Sequence, residues 1–168
     1  MSDELRSIWH ALGEVADPEL PLVSIVELGI VRSVERGEDG WTVTLTPTYS
    51  GCPATRVIEE DVRAALATAT TAPVRIATAL APAWTTDWIA PEARCQLHAA
   101  GIVPPQGEAA GAAPAGVRPI AFHRPRPVPC PKCGSLKTVE LSRFGSTACK
   151  AQYRCSDCLE PFDYFKPH

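Results

Sequence analysis

Apolar residues near the start of the chain recur at helical spacing. Leu5, Ile8, Trp9, Leu12 and Val15 form one stripe of a helix. Asp17-Pro18-Glu19-Leu20-Pro21 ends it, because both prolines disfavour helical backbone. Residues 23–34 are rich in β-branched side chains, and Ile30-Val31-Arg32-Ser33-Val34 reads as a strand. Glu38-Asp39-Gly40 is a hairpin signal. Trp41, Val43 and Leu45 then alternate with Thr42, Thr44 and Thr46, the pattern of a half-buried strand. Ile58, Val62, Ala65 and Leu66 mark the buried face of a second helix. Residues 73–80 give a third short strand, and residues 91–100 a third helix that Gly101 caps. The order α-β-β-α-β-α predicts a two-layer α/β (α+β) domain over residues 1–102.

The pattern then changes in kind. From Pro104-Pro105-Gln106-Gly107 to Arg124-Pro125-Arg126-Pro127 the chain is rich in Ala, Gly and Pro and has little to bury. It reads as a linker, residues 103–128, whose start packs on the first domain through Ile102 and Val103. Residues 129–168 form a second, β-rich unit, with strand candidates at Thr138-Val139-Glu140-Leu141 and Gln152-Tyr153-Arg154.

Charge sharpens this division. Residues 1–117 hold 7 Lys+Arg and 15 Asp+Glu, a net −8; residues 118–168 hold 9 and 4, a net +5. Either the halves dock on one another, or the basic half meets an acidic partner. The N-terminus lacks a basic region followed by an apolar one, and no apolar run approaches the length of a membrane span. We therefore expect a cytoplasmic protein with no membrane partner. No Gly-rich phosphate loop is present, so no nucleotide is expected. The basic run from Arg124 to Lys132 lacks interleaved aromatics, which argues against nucleic acid.

Seven cysteines in a reducing compartment point to metal or thiol chemistry rather than disulfides. Cys130-Pro131-Lys132-Cys133 and Cys155-Ser156-Asp157-Cys158 are two C-x-x-C knuckles separated by 21 residues. Four thiolates complete a tetrahedral site, the pattern of a four-cysteine zinc ribbon with one structural Zn2+ per chain. A rubredoxin-like iron site and redox dithiols are the other readings. So small a unit needs the ion for much of its stability.

Cys52 lies in Pro47-Thr48-Tyr49-Ser50-Gly51-Cys52-Pro53-Ala54, between a strand and a helix. With Pro53 at the first helical position, Cys52 is the N-cap and faces unpaired N–H groups, which favour a thiolate. It could serve as a nucleophile, as a soft metal ligand, or only as a small turn residue. Asp17 and Glu19 are turn formers, or lie near Cys52 as ligands or proton carriers, with Arg56 as a pairing cation. Cys149 is a buried small residue of the ribbon or a second soft ligand acting with Cys52. Cys95 is expected to pack within its helix. His10, His98, His123 and His168 are scattered, so no Cys-His pair is supported.

These stretches resemble a known family. Asp17-Pro18-Glu19-Leu20-Pro21, Ser24-Ile25-Val26-Glu27-Leu28-Gly29-Ile30-Val31 and the Gly51-Cys52-Pro53 turn are similar to the SufT-like iron–sulfur cluster assembly family, over residues 4–100. With Phe144-Gly145-Ser146-Thr147-Ala148-Cys149-Lys150 and the ribbon added, the whole chain resembles the PaaD-type accessory subunits of the phenylacetyl-CoA epoxidase (ring-oxygenase) system. The resemblance implies a non-catalytic factor in aerobic phenylacetate degradation that helps mature diiron or iron–sulfur centres. It implies that Cys52 is the reactive or cluster-binding cysteine and Asp17 the acidic turn residue. It also implies that Cys130, Cys133, Cys155 and Cys158 are the zinc ligands. The expected cargo is a transient iron–sulfur cluster or iron. Because such a cluster needs four ligands, Cys149, a second chain's Cys52 or the client must complete the set. Expected partners are the oxygenase or reductase subunits and a second copy in a homodimer. The alternative function is a structural adaptor that joins oxygenase subunits through the ribbon; a thiol-based redox enzyme is a more distant reading.

Overall fold

A computed structural model describes residues 2–49, 51–105 and 127–167. The contacts divide the chain into two compact units, Met1–Gln96 and Leu97–His168. Most of the expected linker, residues 106–126, lies outside the described residues.

The first unit has the expected α-β-β-α-β order. Helix α1, Asp3–Gly13, starts at Ser2, whose hydroxyl accepts the Leu5 N–H at 3.2 Å. Asp3 and Glu4 add negative charge to its first turn. Ile8 and Leu12 are fully buried, and Val15 extends the stripe beyond the helix. Strand β1, Val31–Arg36, pairs antiparallel with β2, Trp41–Leu45, which pairs parallel with β3, Val74–Thr78. The alternation read from β2 holds through Leu45: Trp41, Val43 and Leu45 are buried, Thr42 and Thr44 only partly so, but Thr46, just past the strand, is buried where the pattern placed it on the open face.

Helix α2, Ala54–Ala69, connects the parallel pair β2 and β3 and packs beside α1. Ala54, Ile58, Val62 and Leu66 are its buried residues, spaced four apart along one face. Burying each large aliphatic side chain here is worth about 1.5–3 kcal/mol. This stripe fixes the rotation of α2, and with it the position of the turn that precedes the helix.

The segment before β1 is a looped coil held by polar anchors. The Glu27 carboxylate accepts the N–H and hydroxyl of Ser24 at 2.8 and 2.9 Å, while the Ser24 hydroxyl accepts the Glu27 N–H at 3.2 Å. That is a reciprocal capping box without a following long helix. The Trp84 indole N–H donates to the Leu28 carbonyl at 2.9 Å, and the Ala90 N–H donates to the Glu27 carbonyl at 2.8 Å. Gly29, at φ 70°, sits directly against Trp88; a Cβ there would lie 2.6 Å from the Trp88 Cβ. Helix α3, Pro91–Ala99, follows. Cys95, expected to pack within α3, is exposed instead, because the buried face of α3 carries Ala93 and Leu97.

The second unit is a four-stranded sheet in the order β4-β7-β6-β5. Strands β5 (Thr138–Ser142), β6 (Lys150–Cys155) and β7 (Pro161–Phe165) are consecutive antiparallel neighbours. Strand β4 is only Ile102–Val103, and it runs parallel to β7 against Asp163 and Tyr164. The expectation that Ile102 and Val103 pack on the first domain is therefore corrected. Backbone pairing with β7 draws them into the second sheet, where Val103 is buried with Val128, Cys130, Cys155 and Phe162. Among the described residues no helix is long and apolar enough to cross a membrane.

Two glycine substitutions separate conformational strain from crowding. Gly51, at φ 95°, has open space where a Cβ would project, whereas Gly29 does not. Gly51→Ala should cost about 1–2 kcal/mol, the penalty of left-handed backbone alone. Gly29→Ala should cost about 3 kcal/mol or more, because overpacking adds to that penalty. Urea unfolding of the two variants tests the order; equal costs would show that Trp88 moves aside freely.

Candidate functional site

The ribbon cysteines come together from two loops. In the first knuckle, Cys130 receives the Gly134 N–H on its carbonyl and donates its own N–H to Ser135, both at 2.9 Å. In the second, the Cys155 N–H donates to the Glu160 carbonyl at 3.0 Å, and the Cys158 N–H approaches the Cys155 sulfur at 3.5 Å. Each knuckle turns back through left-handed backbone one residue after its second cysteine: Gly134 at φ 74° and Leu159 at φ 63°. Glycine takes that conformation freely; leucine is strained in it. Side chains also tie the knuckles together. Asp157 accepts from the Ser135 hydroxyl at 2.6 Å and from Lys137 at 3.2 Å, and Lys132 bonds Glu160 at 2.7 Å. The Ser135 hydroxyl, with Lys137 beside it, holds the Asp157 carboxyl below the usual range. These linking residues carry no motif signature, and sequence reasoning missed them; their only signal was their position within four residues of a ligand cysteine.

The four sulfurs of Cys130, Cys133, Cys155 and Cys158 all lie within 4.8 Å of one another. Cys130 to Cys158 and Cys133 to Cys155 are each 3.6 Å. Thiolates about 2.3 Å from a shared tetrahedral ion stand about 3.8 Å apart. The residues present therefore fit one tetrahedral metal ion. Their acidities point the same way. The Cys158 N–H brings the Cys155 thiol down to about 7. Cys133 is pushed up to about 12: the Ser135 N–H draws it down, but the Cys158 thiol, desolvation and the Cys155 and Cys130 thiols outweigh that pull. Four thiolates this close cannot all ionise without a counter-charge, which a bound cation supplies.

Cys52 is built differently. Its N–H donates to the Tyr49 carbonyl at 3.2 Å, and its own carbonyl accepts the Thr55 N–H at 3.2 Å. The helix proper begins at Ala54, with Pro53 as its cap at φ −65° and ψ −24°. Cys52, expected as the cap, thus stands one residue before it: Pro53 is helical in dihedral angle but brings no N–H, and it takes the cap position itself. The Cys52 side chain is half-buried. Arg56, proposed as a partner for a turn carboxylate, instead pairs with Glu60 at 3.1 Å on the same helix.

Asp17 closes a turn. Its buried carboxylate accepts the N–H groups of Glu19 and Leu20 at 2.9 and 2.8 Å, and its own N–H donates to the Val23 carbonyl at 3.0 Å. Among the described residues, the ribbon quartet is the one group of three or more His, Cys, Asp or Glu side chains close enough to share an ion; Cys52 and Asp17 belong to none. Cys149, at the foot of β6, is buried, with its sulfur 3.0 Å from the Thr147 hydroxyl. His10 and His98 are exposed on helix ends. His123 and His168 lie outside the described residues.

Comparison with known proteins agrees with this layout. The chain is 47% identical over 163 residues to an Escherichia coli protein described as a subunit of a "Putative 1,2-phenylacetyl-CoA epoxidase", covering 97% of this chain and 93% of that one. The chain belongs to the PaaD family. The sequence profile of the PaaD zinc beta ribbon domain matches residues 117–166, and that of the iron-sulfur cluster assembly protein family matches residues 5–77. This PaaD-family chain is also 46% identical over 69 residues to the "Fe-S protein maturation auxiliary factor YitW" of Bacillus subtilis, covering 40% of this chain and 67% of that one. Among solved structures, the crystal structure of a domain of unknown function, DUF59, from Bacillus anthracis covers 56% of this chain and 91% of that one. Its TM-score is 0.51 at 29% identity.

Metal removal and Leu159 test the ribbon. A strong chelator under reducing conditions should unfold Leu97–His168 while leaving the helical signal of Met1–Gln96, seen as loss of ordered amide resonances confined to the ribbon. Leu159→Gly should raise the metal-loaded thermal midpoint by a few degrees. The relief of left-handed strain, about 1–2 kcal/mol, exceeds the added chain entropy of glycine.

Proposed function

We propose that this PaaD-family chain is an accessory maturation factor, not an enzyme, that presents iron or an iron–sulfur cluster through Cys52. The observation that carries this reading is the contrast between its two kinds of thiol site. The ribbon holds a complete four-sulfur set, whereas Cys52 is a half-exposed sulfur at the start of α2 that belongs to no such set among the described residues. A carrier needs such an incomplete site, because a fully ligated cluster has no open position for exchange. With four ligands required, the rest come from the client, from Cys149, or from Cys52 of a second copy. Asp17 acts by shaping the turn at residues 17–23, since its carboxylate is engaged by Glu19 and Leu20.

The ribbon ion in this reading is one structural Zn2+ per chain, held by Cys130, Cys133, Cys155 and Cys158, and it shapes the surface that docks the client. The relatives named as an epoxidase subunit and as Fe-S maturation factors support placing the clients among the metal-bearing oxygenase or reductase subunits of a phenylacetyl-CoA epoxidase. The ribbon's self-contained metal site also favours a second reading, a structural adaptor that joins those subunits without transferring metal.

Cys52→Ser separates the two. Co-produced with the oxygenase subunits, it should yield oxygenase with its iron content reduced several-fold, while the variant keeps its own zinc and fold. Fully metallated oxygenase would leave the adaptor standing. In the native protein purified aerobically, metal analysis should give one zinc per chain and no visible absorption; a thiolate-to-iron band tied to the quartet would replace zinc by iron.

A further inference from the structure

The ribbon sheet has one guarded edge and one open edge. Strand β4 covers β7, but β5 has β6 on one side and no strand on the other among the described residues. Open edges are normally blunted by proline, by charge, by bulges or by very short strands; the bulge in β5 falls at its end, between Glu140 and Ser142, and leaves residues 138–140 as regular edge. Strand β5 runs Thr-Val-Glu-Leu-Ser, with no proline, and its one charge, Glu140, is engaged by the Tyr153 hydroxyl at 3.0 Å.

Apolar surface concentrates there. Four of the eight exposed large hydrophobics among the described residues fall between 136 and 144: Leu136, Val139, Leu141 and Phe144. Phe144 is 67% exposed, yet it is held in place. The Ser142 hydroxyl donates to the Phe144 carbonyl at 2.7 Å and accepts its N–H at 3.2 Å, and the Lys166 ammonium lies 4.7 Å from the ring centroid. A bulge between Glu140 and Ser142 places Leu141 outside the regular register of the β5–β6 pair. The rim is cationic on balance: Arg143 is 87% exposed and pairs with Glu140 only at 3.9 Å, Arg154 stands across from Val139 on the neighbouring strand β6, and Lys166 backs Phe144.

We propose that the open edge of β5 pairs with an extended segment of a partner protein that alternates apolar and acidic residues. Backbone pairing extends the sheet, Val139, Leu141 and Phe144 receive the apolar side chains, and Arg143, Arg154 and Lys166 receive the carboxylates. The cationic rim selects this occupant over a second copy. Pairing two copies along β5 would bring two surfaces of the same cationic character together, and like-charge juxtaposition across an interface is unfavourable. The inference deepens the reading of the ribbon as the docking unit, and rests on it.

The test uses the full metal-loaded chain and a fluorescent extended peptide alternating valine and glutamate. The peptide should bind and shift the amide resonances of residues 138–144. The same peptide with lysine for glutamate, or with a central proline that removes an N–H, should bind at least roughly tenfold more weakly. Phe144→Ala and Leu141→Glu should each lose roughly tenfold with zinc content unchanged. R143E with R154E should turn the preference toward the lysine peptide. Equal binding of acidic and basic peptides, or native binding by both apolar variants, overturns the proposal. So does self-association of the native chain that Phe144→Ala abolishes, since that assigns the strip to a second copy. The Cys52→Ser protein should bind the peptide like the native one. Failure of peptide binding beside intact Cys52-dependent maturation therefore rejects this strip alone, and intact binding beside a fully active Cys52→Ser rejects the transfer reading alone.

Discussion

Four sulfurs held within 4.8 Å of one another are the constraint on which the ribbon depends. The same residues belong to its apolar core. Cys130 and Cys155 are buried with Val103, Val128 and Phe162, and Tyr153 and Tyr164 pack against that group. So small a core cannot order a sheet by burial alone. The sulfurs cannot all ionise without a counter-charge, so their neighbours pull Cys155 and Cys133 in opposite directions. A cation at the centre resolves both shortages: it neutralises the thiolates and cross-links two loops far apart in sequence. The strain at Leu159 is tolerated for the same reason, because Cys158 before it and the Glu160 carbonyl after it, bonded to the Cys155 N–H, dictate the turn whatever residue occupies it.

Cys52 shows the opposite design with the same atom type. Beneath it, α2 is pinned by Ile58, Val62 and Leu66. Above it, the turn is open, with Gly51 facing empty space where a side chain would project. A rigid base fixes where the half-buried sulfur stands, at the start of α2. Asp17 contributes to the same unit indirectly. By bonding Glu19 and Leu20 it keeps a proline-rich turn compact without any regular secondary structure.

Much of the architecture was legible because it follows from periodicity. The α1 stripe, the Trp41-Val43-Leu45 alternation and the Ile58-Val62-Leu66 face each report a local pattern that tertiary packing did not override. The two knuckles were legible because ligand spacing is a local property as well. Three things were not. The place of Ile102 and Val103 depends on β7, which begins nearly sixty residues later, and a two-residue strand has no period of its own. Cys95 lies in a helix pattern too short to tell its buried face from its exposed one. The register of Cys52 against α2 turned on one residue, because a proline can adopt helical dihedrals without the N–H that defines a helix start. Among the residues proposed around Cys52, the structure gives Asp17 and Arg56 partners of their own, Glu19, Leu20 and Glu60. Sequence alone offers no means of choosing between such local partners and a shared site.

If Cys52 carries cargo as proposed, the division into two units answers requirements that conflict within a single site. A structural ion is held best by a closed ligand set with every sulfur committed, and such a set exchanges slowly. A cargo site must leave positions open, and an open thiolate site adds little to folding. If one site served both roles, releasing the cargo would unfold the protein that carries it. Separate sites remove that coupling: the ribbon can keep its ion while the sulfur at the start of α2 gains and loses a ligand. The arrangement demands only that the client be gripped by something other than the cargo. On the proposed reading that grip would fall to surface that neither site uses, and in the ribbon the edge of β5 is such a surface.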